Sequence, residues 1–395
     1  MDTYLLEWAS LLLRWAHVIV GIAWIGASFY FIWLDDSLDT ARRPGAREEG
    51  VAGELWAVHG GGFYRAEKFA VAPGAVPQRL HWFKWEAYWT WLTGFALLAL
   101  IYYGGAGSYL VDPAVTPLSN LEAIGVGIAW LIGGLLVYEA LCRSPLGRND
   151  AALAAVLLVL LALAAWSLTQ TFSGRGAFIH YGALIGTIMV GNVAHVIIPG
   201  QRRMIEAMRA GRAPDPADGR AGKQRSVHNT YLTLPVVFVM VSNHYAMTFG
   251  AAWNWLVLVA FTVAGALIRI WFVRRHKGKA SPWPLAAGLL VLAAIAVLLA
   301  PRAGPVSAPP AFADVGRVIA QRCGACHAEK PAFPGTAQAP KGMLLDTPDR
   351  IRAHALEIHQ QAVATRVMPP GNVTRMTDEE RALLDRWYRA GARAE

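Results

Sequence analysis

The residues best suited to carry chemistry form one compact pattern near the C-terminus, Cys323-Gly324-Ala325-Cys326-His327. Two cysteines separated by two residues and followed by a histidine are typical of c-type haem attachment. The thiols form thioethers with the haem, and the imidazole ligates the iron. A zinc site would need two further cysteine or histidine ligands nearby, and only His354 and His359 follow. The pattern therefore predicts a covalently bound haem c.

The sixth iron ligand in such a protein is expected to be a soft thioether. Met368 is the predicted ligand, because it lies in Val367-Met368-Pro369-Pro370-Gly371-Asn372, where two prolines stiffen the backbone. Met343 and Met376 are the competing candidates, since a methionine is by default a filler of apolar cores. The predicted metal ligands are thus His327 and Met368.

The C-terminal residues have the length of a small class I-like cytochrome c domain. A stretch rich in proline and alanine at 302–311 predicts a short, stiff linker before residues 312–395. Residues 314–321 suit a first helix, and Thr377 with Glu380 forms a capping box that opens a last helix. These two terminal helices are expected to cross beside the haem.

The first three quarters of the chain are strongly apolar. Charged residues make up 16% of the sequence, its mean hydropathy is +0.34, and it holds 16 tryptophans, which concentrate at membrane–water interfaces. A membrane-spanning helix needs about 20 apolar residues. Eight stretches satisfy this need: 9–34, 82–103, 120–142, 150–172, 176–198, 228–249, 252–273 and 281–301. The predicted fold is all-α, with an eight-helix transmembrane bundle over residues 1–301.

The lysines and arginines predict how this bundle lies in the membrane. They concentrate in the segments 143–148, 199–227 and 274–279, whereas the alternating segments 104–119 and 250–251 contain none. Because basic loops stay in the cytoplasm, both termini should lie outside it. The net charge of +9 is then a signal of topology, and nucleic acid is not an expected partner. We expect a multi-pass protein in the lipid of a bacterial inner membrane, with its C-terminal domain in the periplasm.

Histidines inside the apolar segments are candidate cofactor ligands. In this topology His17, His180 and His244 lie toward the periplasm, whereas His81 and His195 lie toward the cytoplasm. On one regular helix His180 and His195 would be about 22 Å and about 60° apart, facing one interior at two depths. They would then help to hold two stacked centres. The alternative for each histidine is a hydrogen bond that packs two helices together.

Charged residues close to these histidines are candidates for catalysis. Arg14 precedes His17 by one helical turn. An arginine so deep in a membrane favours an anionic partner, such as a haem propionate or an anionic substrate, and its alternative is a snorkelling side chain near the helix end. Lys84 and Glu86 lie in the segment 81–91, which is either a site or an aromatic belt at the cytoplasmic interface.

Two further segments are rich in polar or glycine residues. His228-Asn229-Thr230-Tyr231 and Ser242-Asn243-His244-Tyr245 occupy the two ends of one apolar stretch, where Asn and His are either helix caps or parts of a site. His59-Gly60-Gly61-Gly62-Phe63-Tyr64 predicts a flexible glycine turn. The chain has no G-x-S-x-G motif that would make this turn an esterase loop.

Taken together, these segments resemble the bacterial membrane-bound urate oxidase (urate hydroxylase) family. The resemblance lies in residues 59–64, 80–91, 228–235, 242–245 and 323–327, and it covers nearly the whole chain. In that family an eight-helix urate oxidase N-terminal domain precedes a periplasmic cytochrome c. The resemblance implies an enzyme of purine catabolism.

The reaction implied by the resemblance is the oxidation of urate with water to 5-hydroxyisourate. Electrons would pass one at a time to the haem c, without hydrogen peroxide, and then to a downstream cytochrome c or the terminal oxidase of the respiratory chain. The candidate catalytic residues are Arg14, His17, His81, Lys84, Glu86 and His244. Two other classes stay open: an electron-transfer or quinol-oxidising subunit without a urate site, and a transporter.

A haem c outside the membrane poses a problem of distance. About 30 Å of hydrocarbon separates the two sides, so urate oxidised from the cytoplasm would need an electron carrier in between. One or two non-covalent b-type haems, with ligands drawn from His17, His180, His195 and His244, would serve. Urate that binds from outside, with Arg14 pairing its negative charge, would need none. The sequence leaves both routes open.

Overall fold

The computed structural model of the protein describes residues 3–40, 49–70, 73, 75–279, 281–300, 308–334, 336 and 338–393. The protein is mostly helical, with 70% helix and 5% strand. Helices of the N-terminal part are α1 (Thr3–Ser37), α2 (Trp85–Leu97), α3 (Ala106–Tyr109), α4 (Asn120–Arg143), α5 (Asp150–Thr171), α6 (Gly174–Gly191), α7 (Ile198–Arg209), α8 (Pro216–Ser242), α9 (Ala246–Phe249), α10 (Asn254–His276) and α11 (Trp283–Leu298). Each apolar stretch found in the sequence overlaps at least one of these helices.

Two of the long helices contain wider, π-helical turns. α2 continues as the π-helical segment Leu98–Tyr103, and α6 runs through another, Asn192–Ile197, into α7. A π-helical turn adds a residue to the helix, so every residue beyond it is rotated by about 100° relative to a regular helix.

Several long apolar helices are compatible with a membrane protein. Five of the described helices are long and apolar enough to cross a membrane: Tyr4–Ser37, Asn120–Arg143, Asp150–Thr171, Gly174–Arg209 and Asn254–His276. Trp283–Leu298 is apolar but shorter. The complete eight-helix transmembrane bundle stays a prediction.

The start of α6 is fixed against α3. The Ser173 hydroxyl accepts a hydrogen bond from the Gly176 amide at 3.0 Å, which caps the helix. The same hydroxyl donates to the Tyr109 carbonyl at 2.8 Å, and the Ser173 amide donates to the Leu110 carbonyl at 2.9 Å. The first turn of α6, which carries Arg175, is therefore held in one place relative to the end of α3.

The all-α prediction is incomplete, because two strands follow α1. β1 (Val51–His59) and β2 (Gly62–Phe69) form an antiparallel hairpin, with His59 paired to Gly62. Gly60 and Gly61 have φ of +57° and +79°, the left-handed conformation that a two-residue hairpin turn requires. The glycines that suggested a flexible turn thus form a defined one.

The C-terminal helices are α12 (Phe312–Arg322), α13 (Pro348–Ala353), α14 (Ala355–Ile358) and α15 (Asp378–Arg389). They surround a core of their own, in which Val315 and Leu384 are fully buried. The predicted capping box of Thr377 and Glu380 at the start of α15 is confirmed. Arg322 on α12 pairs with Glu380 at 2.8 Å and ties the first helix to the last. We call α12–α15 and their loops the C-terminal bundle.

Candidate functional site

A cavity of about 310 Å³ lies between α1, α2, α6 and α8. Most of its wall is apolar. Its polar side chains are Arg14, His17, Thr90, Trp91, Tyr102, Arg175, Thr187, Asn243 and His244. No carboxylate is among the described residues that line it. Two arginines without a lining acid make this cavity suited to an anion.

The orientation of His17 is set by α2. Its Nδ1 lies 3.0 Å from the Thr93 hydroxyl oxygen, and that hydroxyl donates its own hydrogen to the Trp89 carbonyl at 2.7 Å. Because a hydroxyl has one hydrogen to give, His17 Nδ1 must be the donor and Nε2 keeps its lone pair. Gly94 permits this close packing, since a Cβ there would lie 2.9 Å from His17 Cε1. His17 therefore offers the cavity a base or a metal ligand.

Arg175 joins this site, although the sequence analysis did not single it out. Its Nε donates to Asn243 Oδ1 at 3.2 Å, and the Tyr102 hydroxyl donates to the same oxygen at 2.9 Å. The guanidinium lies 6.0 Å and 5.3 Å from the ring centroids of Tyr102 and Tyr109. In the part of the chain that the structure describes, no acid pairs with Arg175. The guanidinium also interacts with the Tyr102 hydroxyl. With no acid beside it among the described residues, it can bind an anionic ligand together with the Asn243 amide nitrogen.

The sequence held one signal for Arg175. It is a lone basic residue in a short turn between two apolar stretches, on the side of the bundle whose other loops 104–119 and 250–251 contain no Lys or Arg. Nothing in the sequence marked Tyr102, because its role depends on where three separate helices meet.

Arg14 and His244 occupy the same end of the cavity as Arg175. Arg14 is exposed, its Nε donates to the Ser10 hydroxyl at 3.2 Å, and its charge interacts with Tyr102. His244 is exposed directly beyond the end of α8. The structure therefore brings together three of the predicted residues, Arg14, His17 and His244.

His180 lies outside the cavity. It is 0% exposed, its Nδ1 donates to the Gly176 carbonyl at 2.8 Å, and its Nε2 accepts from the Tyr103 hydroxyl at 3.3 Å. The ring also packs against Phe172, with ring centroids 4.8 Å apart. With both nitrogens in hydrogen bonds, His180 has the helix-packing role that was its alternative, and no lone pair faces a ligand.

His195 is exposed and also lies outside the cavity. The expected facing of His180 and His195 assumed one regular helix. His195 instead lies within the π-helical segment Asn192–Ile197, which turns later residues away from the direction that regular geometry gives. The structure therefore does not place these two histidines on a common interior face.

His81, Lys84 and Glu86 lie at the opposite end of α2. Lys84 is about 27 Å of helical rise from Tyr102, and its ammonium lies 5.2 Å from the ring centroid of Trp85. His81 is exposed, with its ring 4.6 Å from that of Phe83. Cation–π and ring contacts of this kind are what an aromatic belt provides. The structure does not bring these three predicted catalytic residues to the cavity.

His228 and Asn229 do not cap a helix, because α8 begins at Pro216. His228 Nδ1 accepts from the Tyr138 hydroxyl at 2.7 Å, and that hydroxyl accepts from Asn192 Nδ2 at 3.0 Å. Asn192 Nδ2 also donates to Asn229 Oδ1 at 2.8 Å. These bonds join α4 and α8 to the residue that directly follows α6. His228 and Asn229 therefore belong to a network that packs helices together and is separate from the cavity.

In the C-terminal bundle, the histidine of the predicted haem-attachment motif is oriented as a metal ligand would be. His327 Nδ1 donates to the Met343 carbonyl at 3.0 Å, which leaves Nε2 as the nitrogen that can ligate a metal. Cys323 and Cys326 form no disulfide. Burial raises the pKa of the Cys323 thiol to about 12 and also raises the pKa of the Cys326 thiol. Both side chains are therefore thiols, the form that adds to a haem vinyl group.

The candidate thioether ligands differ in their surroundings. Met368 packs at the margin of the bundle core, to which Cys323 also belongs, whereas Met376 is 3% exposed within it. Arg381 donates to the Met368 carbonyl at 3.0 Å and also to the Ala362 carbonyl, so the backbone at Met368 is fixed. A haem c requires two thiols, an imidazole with an available Nε2 and a thioether. The C-terminal bundle contains each of these groups.

The apolar helices are compatible with a membrane protein. Their cavity brings a histidine base together with two arginines for which the described residues supply no acidic partner, an arrangement suited to an anionic substrate. Residues 3–300 match the protein family described as Urate oxidase N-terminal, and the chain belongs to this family. Membership indicates an oxidoreductase acting on urate. The match does not extend into the C-terminal bundle. No curated protein and no solved structure matches the chain.

Proposed function

We propose that this protein is a membrane-bound urate hydroxylase that oxidises urate in the cavity and passes the electrons to a haem c on its C-terminal bundle. The observation that carries the proposal is the grouping of Arg14, Arg175 and Asn243 at one end of a cavity whose described lining residues include no carboxylate. Urate is an anion at neutral pH, and its carbonyl oxygens are hydrogen-bond acceptors. A cationic end with an amide donor suits both features.

The residues of the cavity can divide the work of hydroxylation. Arg14 and Arg175 hold the urate anion, and Asn243 Nδ2 donates to one of its carbonyl oxygens. A bond forms between a water oxygen and C5 of urate, and His17 Nε2 accepts the proton that the water releases. The product is 5-hydroxyisourate, and urate and water together lose two electrons and two protons. Two one-electron transfers leave no electrons for hydrogen peroxide.

Cys323, Cys326 and His327 would hold the haem c, with Met368 as the sixth ligand. A bound haem c supplies a one-electron acceptor. The C-terminal bundle lies close to the cavity end that carries Arg175, because Gly371 approaches the carbonyls of Ser108 and Val111, and Arg175 lies over the ring of the intervening Tyr109. Urate bound in the cavity therefore needs no carrier across the membrane, and direct transfer is the route we propose.

A non-covalent b-type haem is the alternative occupant of the cavity. His17, with its Nε2 lone pair available, would hold the iron of such a haem. A Cβ at Gly21 or at Gly186 would meet no atom within 4 Å, so these cavity walls leave room for a flat macrocycle. Arg14 and Arg175 would then pair with propionates. Neither occupant uses His81, His180 or His195.

Haem content separates the two occupants. Direct transfer predicts about one haem per chain, all of it covalent, and anaerobic addition of urate should reduce it without hydrogen peroxide. A pyridine haemochrome spectrum and the reduced c-type absorption band measure both. A second, extractable b-type haem would replace direct transfer with a relay. Reduction by a quinol but not by urate would instead support an electron-transfer subunit.

We also propose an inner-membrane location, with both termini in the periplasm and a downstream cytochrome c or terminal oxidase as the electron acceptor. Reporter fusions test this topology. Fusions after residues 148, 215 and 277 should report the cytoplasm, because they follow or lie within the basic segments. Fusions after residues 110 and 310 should report the periplasm. A cytoplasmic signal at 310 would contradict the eight-helix arrangement.

A further inference from the structure

The C-terminal bundle touches the N-terminal helices through the loop that contains Met368. At Gly371 in this loop, an added Cβ would lie 2.6 Å from the Val111 carbonyl oxygen and 2.9 Å from that of Ser108. At Gly250, directly after α9, an added Cβ would clash with the Thr365 carbonyl. Backbone meets backbone at both places, with no room for a side chain.

Apolar packing and charge support the same contact. Val367 packs against the core cluster of the N-terminal part, of which Val111 is a buried member. Asp112 interacts electrostatically with Arg366 and Arg381 of the C-terminal bundle. The two surfaces therefore match in shape, in polarity and in charge, as functional protein contacts do.

This contact is connected to the cavity through Tyr109 and Arg175. Arg175 lines the cavity and lies over the ring of Tyr109. Tyr109 lies in the chain between Ser108 and Val111, the two residues whose carbonyls face Gly371. On the other side of the contact, Gly371 is three residues from Met368. A short, packed path thus joins the cation that would hold urate to the proposed iron ligand.

We propose that this contact is the exit through which electrons leave the cavity, and that Gly371 is a positioning residue that sets its spacing. The inference rests on the proposed function. Each urate converted sends two electrons through the contact, one at a time. The first would reduce ferric haem iron to ferrous, the downstream cytochrome c or terminal oxidase would reoxidise it, and the second electron would then follow. The two protons stay on the cavity side, with His17 accepting the first.

Arg381 links the contact to the ligand loop. Its guanidinium donates to the Met368 carbonyl at 3.0 Å and to Asn372 Oδ1 at 3.3 Å, and its charge interacts with Asp112 across the contact. The same side chain therefore fixes the backbone that carries the proposed ligand and faces the surface that delivers the electrons. The docking of the C-terminal bundle and the position of the proposed iron ligand Met368 therefore both depend on the Arg381 guanidinium.

The experiment is a comparison of Gly371→Ala with Gly342→Ala in the full-length, haem-loaded protein. Both glycines have positive φ, +54° and +66°, so both variants carry the same kind of backbone strain. At Gly342 a Cβ meets no atom within 4 Å, so its variant leaves the contact intact. Anaerobic stopped-flow reduction of the c-type band by urate should slow about tenfold or more in Gly371→Ala, because small displacements are costly to reaction rates. Gly342→Ala should match the unmodified protein.

Two further measurements distinguish a weakened contact from a loss of haem binding. Reduction by ascorbate and the ferrous spectrum should be equal in both variants, which shows that haem binding is unchanged. Hydrogen exchange at residues 108–112 should be faster in Gly371→Ala alone, because the bundle no longer covers them. Equal urate-driven rates in the two variants would overturn the inference. No urate-driven reduction in the unmodified protein would instead overturn the proposed function.

Discussion

Replacing Cys323 and Cys326 together by alanine is expected to abolish covalent haem. Haem that stays with the chain after denaturation needs the two thioethers, and the only other described cysteine, Cys142, lies on α4. Denaturing electrophoresis followed by haem staining measures the result directly. Urate-dependent reduction should disappear with the haem, since direct transfer has no other one-electron acceptor. A haem-staining band in the double variant would contradict the c-type assignment.

The axial ligand can be tested on the same domain. Met368→Ala should keep the covalent haem but lose the methionine–iron charge-transfer band, because no thioether then reaches the iron. Met376→Leu is the matched control. It conserves side-chain volume at a position that is 3% exposed, so the core stays filled. Loss of the band in Met376→Leu, with its retention in Met368→Ala, would move the ligand to Met376.

The sequence predicted the parts of this protein that depend on local pattern. Helix positions followed from hydropathy, since an apolar helix of membrane length is a property of one continuous segment. The haem motif is likewise contiguous, and the capping box of Thr377 and Glu380 needs only a spacing of three residues. Arg14 and His17 were also found locally, because one turn of a helix places them together.

The histidines show where such reasoning stops. Sequence cannot distinguish His17, whose Nε2 is available, from His180, whose two nitrogens are both bonded, because their partners lie on other helices. His195 was misplaced for a different reason: the π-helical segment Asn192–Ile197 breaks the regular rotation on which the argument depended. Arg175 and Asn243 meet only because the start of α6 lies beside the end of α8.

Arg175→Ala is expected to cause the largest loss of urate turnover among single changes in the cavity. Hydrogen bonds to charged groups contribute about 1.5–3 kcal/mol, which corresponds to roughly 10- to 150-fold in kcat/KM. The variant also frees Asn243, whose Oδ1 accepts from the Arg175 Nε at 3.2 Å, so the amide donor loses its fixed direction. Initial rates of anaerobic haem reduction at varied urate concentration measure the effect.

Arg148→Ala is the matched control for Arg175→Ala, because it removes one arginine from an exposed turn after α4 that does not line the cavity. It should leave kcat/KM unchanged. Arg175→Lys should recover only part of the loss, since lysine restores the charge but not the planar fork that reaches Asn243 and a ligand together. Binding of a neutral purine should weaken less than binding of the urate anion, because the missing group is a cation. Equal kcat/KM for Arg175→Ala and Arg148→Ala would remove Arg175 from the proposed urate site.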